Sequence, residues 1–104
     1  MGFRIKFSDQ AAEDFSSIIE YIHDKLYSPS AAERFYRETT KKLNKISENP
    51  YIYPVSRDEK LSVRDYRVAV IGNYLMFYLI YEADTIAYIV RIIYGKRDIT
   101  AAFK

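Results

Sequence analysis

The sequence predicts an α+β domain: an N-terminal strand, an antiparallel helical hairpin, then a three-stranded antiparallel meander, with the hairpin on one face of the sheet. Three observations carry that expectation. Apolar residues alternate with charged ones at the start of the chain, and they recur at helical spacing from about residue 9 to 48. Through the second half they run almost unbroken in β-branched and aromatic form. With 104 residues there is room for one domain, 1–104, and one small core.

Phe3, Ile5 and Phe7 alternate with Arg4 and Lys6, the period of a strand with one wet face. Ser8 suits a helix cap, and Asp9, Glu13 and Asp14 put negative charge at the positive end of the helix that follows. Phe15, Ile18, Ile19, Ile22 and Leu26 form a single stripe, so residues 9–26 read as an amphipathic helix. Ser28-Pro29 opens a second helix, with Ser30 and Glu33 as a competing capping box. Its apolar face is Ala32, Phe35, Tyr36, Thr39, Leu43 and Ile46, and Asn49-Pro50 ends it. The segment 51–60 reads as a loop. A strand over 63–71, the Gly72-Asn73 turn, a strand over 74–81, the Glu82-Ala83-Asp84 turn and a strand over 85–94 complete the meander, with Gly95 breaking the last strand. The tail from Lys96 is expected either to form a last helical turn or to stay flexible.

Composition removes several function classes. There is no cysteine, so disulfides, thiolate metal sites and cysteine nucleophiles drop out. The single histidine, His23, cannot build a metal site alone and is expected at the helix flank. No apolar run has the length of a membrane span, and the start lacks a signal-peptide pattern, so the expectation is a soluble, cytoplasmic protein. Three glycines offer no nucleotide cradle, and no G-x-S-x-G or H-E-x-x-H is present. The net charge of +2 is too small for a dedicated nucleic-acid stripe. The stretch 91–104 is nonetheless locally basic: Arg91, Lys96, Arg97 and Lys104 stand against Asp98. The acidic residues along the helices read as solvated charge.

What remains is guanidinium chemistry on a tyrosine-rich sheet. Arg67 and Arg91 fall inside expected strands, and Arg97 follows Gly95. Each can snorkel to water from a sheet rim, or hold a phosphate by two parallel hydrogen bonds. Tyr66, Tyr74, Tyr78, Tyr81, Tyr88 and Tyr94 all lie in the meander, and most of them must be packing residues.

Taken in order, Ala11-Ala12-Glu13-Asp14-Phe15, Ile18-Ile19-Glu20-Tyr21-Ile22, Asn49-Pro50, Tyr53-Pro54, Tyr66-Arg67-Val68, Gly72-Asn73-Tyr74, Phe77-Tyr78 and Arg91-Ile92-Ile93-Tyr94-Gly95-Lys96-Arg97-Asp98 span nearly the whole chain. This arrangement resembles the RelE/ParE superfamily, the toxins of bacterial type II toxin–antitoxin modules. The resemblance implies a small antiparallel sheet with a helical hairpin on one face, an antitoxin whose disordered segment wraps the toxin, and no cofactor or metal. It also implies one of two activities, ribosome-dependent cleavage of messenger RNA or inhibition of DNA gyrase by binding, each arresting growth.

Carried over residue by residue, the ribonuclease set falls on Arg67, Ala69, Leu75, Arg97 and Phe103. Only Arg67 and Arg97 retain suitable groups, and these would be the catalytic candidates if the chain were a nuclease. A ribose 2′-hydroxyl needs a proton acceptor and a pentacovalent phosphate needs several donors, and two guanidinium groups do not supply both. The resemblance therefore favours the ParE branch, a gyrase-binding inhibitor with target contacts at Arg67, Arg91, Lys96 and Arg97. Messenger cleavage at the ribosome is the alternative. A decayed member that only partners its antitoxin is a third reading.

Overall fold

The computed structural model describes residues 2–96 and 102–103. Strand β1 is Arg4–Phe7, helix α1 Asp9–Glu20, helix α2 Pro29–Glu48, helix α3 Glu59–Ser62, and strands β2, β3 and β4 are Arg67–Ile71, Tyr74–Tyr81 and Ile86–Tyr94. The sheet order is β1-β4-β3-β2. The meander is antiparallel as expected, but β1 lies parallel to β4 with Arg4 opposite Ile86, so the sheet is mixed. The connection from β1 to β4 runs through both long helices and the other two strands, the long crossover that a parallel pair requires.

Both helix starts follow their sequence signals. Ser8 Oγ accepts from Ala11 N at 2.9 Å, and Ser28 Oγ accepts from Ala31 N at 3.3 Å with Pro29 in the first turn. The Ser30–Glu33 box is therefore not the cap. Helix 9–26 is α-helical only to Glu20. Tyr21–Lys25 form a π-turn closed by Leu26 N donating to Tyr21 O at 3.2 Å. One extra residue in that turn rotates Leu26 off the buried stripe, and it is 54% exposed where the sequence puts it in the core. Tyr36 also leaves the core face, to a position 57% exposed.

Two further differences lie before the meander. The expected strand 63–71 begins only at Arg67, because Glu59–Ser62 coil into α3 and Asp65 adopts φ +62°. Residues Pro54–Ser56 instead run along the start of β2, where Val68 N donates to Pro54 O and Ser56 N to Tyr66 O. The last strand starts at Ile86, one residue late, because Thr85 takes φ +55° in the turn.

The helices cover one face of the sheet around Ala11, Ile18, Phe35, Ile46, Met76, Tyr78, Ile89 and Ile92. The opposite face carries a smaller cluster of Leu61, Phe77 and Ile93, over which Tyr66, Leu75, Ala102 and Phe103 pack. Two polar side chains of this core are satisfied: Thr39 Oγ1 donates to Phe35 O at 2.7 Å, and Tyr78 Oη to Pro50 O at 2.7 Å, whereas the buried Tyr53 hydroxyl has no partner among the described residues. Burial pushes the Tyr78 hydroxyl up to about 12.

Candidate functional site

The arginines singled out by the sequence lie in three different environments. Arg67 opens β2 and is half-buried. Its Nη1 donates to Tyr53 O at 2.8 Å, and its guanidinium lies 5.1 Å from the centre of the Tyr51 ring. Tyr51 Oη in turn donates to Glu82. Arg67, Tyr51, Asp65, Leu79 and Tyr81 border a shallow cavity of about 360 Å³ at the β3 edge. One face of Arg67 is thus used for structure, and the other looks into this cavity.

Arg91 is held on every side. The register between β3 and β4 shifts at Phe77/Tyr78, with Phe77 opposite Arg91 and Tyr78 opposite Ile89, so Val90 is an extra residue on β4. This bulge reverses the alternation: Ala87 and Ile89 point into the main core, and beyond the bulge Ile92 does. Arg91 is turned out of the core towards the edge that β1 leaves open when it ends at Phe7. There Nε and Nη2 meet the two Asp14 oxygens at 2.8 and 3.0 Å, and Nη1 donates to Ala102 O at 2.7 Å. Asp14 also accepts the edge amide of Ile92 at 3.0 Å. Both side chains are almost out of water. Burial pushes the Asp14 carboxyl up, but the hydrogen bonds from Arg91, Ile92 N and Gln10 outweigh it and hold the group below its ordinary value. Ser8 completes the joint by donating through Oγ to Val90 O at 2.8 Å.

Asp14 is the functional-grade residue that the reading of solvated charge passed over. It lies with Ala11 and Ile18 at helical spacing on the buried face, and an acid in an apolar stripe demands a cation. His23 is exposed and pairs with Asp24, as a flank residue would.

Lys96 is exposed in the turn after β4, and Arg97 lies outside the described residues. The turn is tight: Gly95 N donates to Asn73 O at 2.8 Å, and a Cβ on Gly95 would stand 3.2 Å from that same oxygen. This end of the sheet borders a groove of about 820 Å³ between the tip of the helical hairpin and the β2–β3 turn. Tyr21, Leu26, Phe35, Tyr74 and Tyr94 make its apolar wall, and Arg34 and Glu38 its charged rim. Tyr74 stacks edge-on against Phe35 at 5.2 Å and Tyr94 at 5.6 Å. Burial pushes its hydroxyl up, and Tyr21 and Tyr94 add to the effect. An open aromatic groove of this kind suits an amphipathic peptide segment. No trio of His, Cys, Asp or Glu suited to a metal ion occurs among the described residues. No helix among them is long and apolar enough to cross a membrane.

The three positions that lack a ribonuclease group are apolar in their surroundings as well as in identity. Ala69 is fully buried beneath the helices, Leu75 packs in the cluster on the far face, and the Phe103 ring lies 4.9 Å from Tyr66 and 5.2 Å from Phe77.

Comparison with known proteins agrees with this architecture. No curated protein matches the chain by sequence. Among solved structures, the fold is similar to a chain of the chromosomal ParDE toxin–antitoxin system from P. aeruginosa, with a TM-score of 0.71 and 14% identity over 90% of this chain and 97% of that one. An archaeal RelE–RelB complex from Pyrococcus horikoshii OT3 gives a TM-score of 0.62 at 18% identity, covering 93% and 99%. The RelBE2 toxin–antitoxin complex from Mycobacterium tuberculosis gives 0.53 at 16%, covering 90% and 99%. The family model for the ParE toxin of type II toxin–antitoxin systems (parDE) matches residues 5–99. With that match across nearly its whole length, the chain belongs to the ParE toxin family of type II toxin–antitoxin systems.

Proposed function

We propose that this toxin arrests growth in the cytoplasm by binding DNA gyrase rather than by cutting RNA, and that an antitoxin segment neutralises it from the aromatic groove. What supports binding over cleavage is the chemistry of β2. Ala69 faces the helices and Val68 and Val70 face the other way, so neither side of the strand after Arg67 offers a proton donor or acceptor. A shift of one residue would move the Ala69 position to Val68 or Val70, both apolar. The corresponding β3 position, Leu75, and the C-terminal Phe103 are equally inert. Arg67, Lys96 and Arg97 remain as groups able to contact the target, and Arg91 serves by holding the chain end at Ala102 against the sheet.

The antitoxin reading draws on the solved neighbours, which include ParDE and RelB–RelE toxin–antitoxin systems, and on a groove with the shape and apolar lining an amphipathic segment needs. Purified toxin is expected to block supercoiling by gyrase, or to stabilise its cleaved DNA complex, and to leave messenger RNA intact on translating ribosomes. Codon-positioned messenger cuts without any effect on gyrase would reverse the assignment.

A further inference from the structure

The outer faces of the two long helices carry opposite charge in matching places. On α1 the solvent side bears Asp9, Glu13 and Glu20, spaced four and seven residues apart so that they share one face opposite Ala11 and Ile18. On α2 the solvent side bears Arg34, Arg37, Lys41 and Lys45, spaced three, four and four, with the exposed Glu38 and Glu48 on the same face leaving it net basic. All seven stripe residues are exposed. Among the described residues, the ion pair formed by any of them is Arg37 with Glu33, inside α2 itself. Neither stripe neutralises the other within the chain.

The two stripes also match in height. The hairpin tip is Tyr27, 86% exposed with φ +50°. Glu20 and Arg34 lie seven positions on either side of it, Glu13 and Lys41 fourteen, and Asp9 and Lys45 eighteen. Two hairpins can meet face to face about a two-fold axis in the plane between them. An axis across the helices would lay α1 on α1 and oppose like charges. An axis along the helices lays α1 of one copy antiparallel on α2 of the other while keeping every residue at its own height. Under that operation Glu20 meets Arg34, Glu13 meets Lys41 and Asp9 meets Lys45, each pair occurring twice.

From this complementarity we infer that the free toxin self-associates through its helical hairpin into a two-fold dimer, with the acidic stripe of each copy on the basic stripe of the other. A nucleic acid is a poorer occupant, because the acidic α1 stripe lies alongside the basic one and repels phosphate. The inference is independent of the target proposed above. Six solvent-rimmed ion pairs make a weak dimer at most, one that salt dissolves.

Sedimentation velocity on the isolated chain, across a concentration series at about 50 mM and about 500 mM salt, tests it. The expected result is a dimer at low salt and a monomer at high salt. Glu13→Lys and Lys41→Glu each place two like-charge pairs in the interface and are expected to weaken association roughly tenfold. The chain carrying both substitutions is expected to dimerise as the parent does. Circular dichroism melts identify any variant that has lost its fold, and an exposed charge swap leaves them nearly unchanged. A monomer at about 100 μM in low salt overturns the proposal, as does an association that neither single substitution weakens or that the double substitution fails to restore. Toxicity and gyrase assays have no bearing on these outcomes, so the two readings stand or fall separately.

Discussion

Asp14 and Arg91 divide the labour of the basic chain end. The carboxylate binds a guanidinium and closes a strand edge, while the guanidinium reaches on to Ala102 O. Asp14→Asn leaves a nearly buried cation without its counter-charge, which costs about 3 kcal/mol, measurable by urea denaturation at neutral pH. Because the folded carboxyl titrates below its ordinary value, its contribution is fully present above about pH 4 and is lost as pH falls through the folded value. The stability gap between the parent and Asp14→Asn is therefore expected to shrink on acidification below pH 4, and a gap independent of pH would place the stabilisation elsewhere. Arg97 makes the contrasting case. Following Gly95 past the last strand, Arg97→Ala is expected to change stability by well under ~1 kcal/mol and yet abolish growth inhibition. Arg91→Ala should lower the melting temperature and inhibition together. Full toxicity of Arg97→Ala at an unchanged protein level would reduce that residue to surface charge.

At the scale of elements, what the sequence revealed and what it hid separate by range. Ser8, Ser28-Pro29, Asn49-Pro50 and Gly72-Asn73 act on neighbours within four residues, and the boundaries they signal are where the elements begin and end. The π-turn at Tyr21–Lys25 and the bulge at Val90 add one residue each to a helix and a strand without leaving a local mark, because they answer to packing against distant partners. Periodicity therefore put Leu26 in the core and left Arg91 without its acid. The candidate site was legible as residue types, namely Arg67 and the strand tyrosines, but the groove walls come from the hairpin tip and the β2–β3 turn, which only the fold brings together. The β2–β3 turn gives a clean local test. Gly72 has φ +59° and open space around its missing Cβ, so Gly72→Ala is expected to cost about 1 kcal/mol through backbone strain alone, and Gly72→Asn less. Equal costs for the two, in thermal melts, would show that something other than φ sets the preference.

On the scale of the whole molecule, the outer hairpin and the groove at its tip are chemically different surfaces. The groove at the hairpin tip is apolar and aromatic, while the outer hairpin carries paired charge stripes. Co-expression with a neighbouring small acidic reading frame is expected to yield a complex that survives purification and relieves growth arrest. Arg34→Glu combined with Tyr94→Ala should weaken that complex at the groove by at least tenfold in titration calorimetry. Separate elution of the two proteins at micromolar concentration would rule out a tight module.

The pairing of the first strand with the last shapes how the molecule comes to be. Ser8 and Val90, bonded across the bulge, are 82 positions apart in sequence, and among the described residues β1 pairs with β4 alone. Such a topology has a high contact order, so loop-closure entropy must be met before the edge strand gains any partner. A nascent chain lacking β4 holds neither the Asp14–Arg91 tie nor a central neighbour for β3, and its helices have only an incomplete sheet to cover. The native toxin is consequently a product of the finished chain: a ribosome part-way through the message carries only its pieces, and a partner made alongside has the whole of that interval to meet an open chain before the sheet closes.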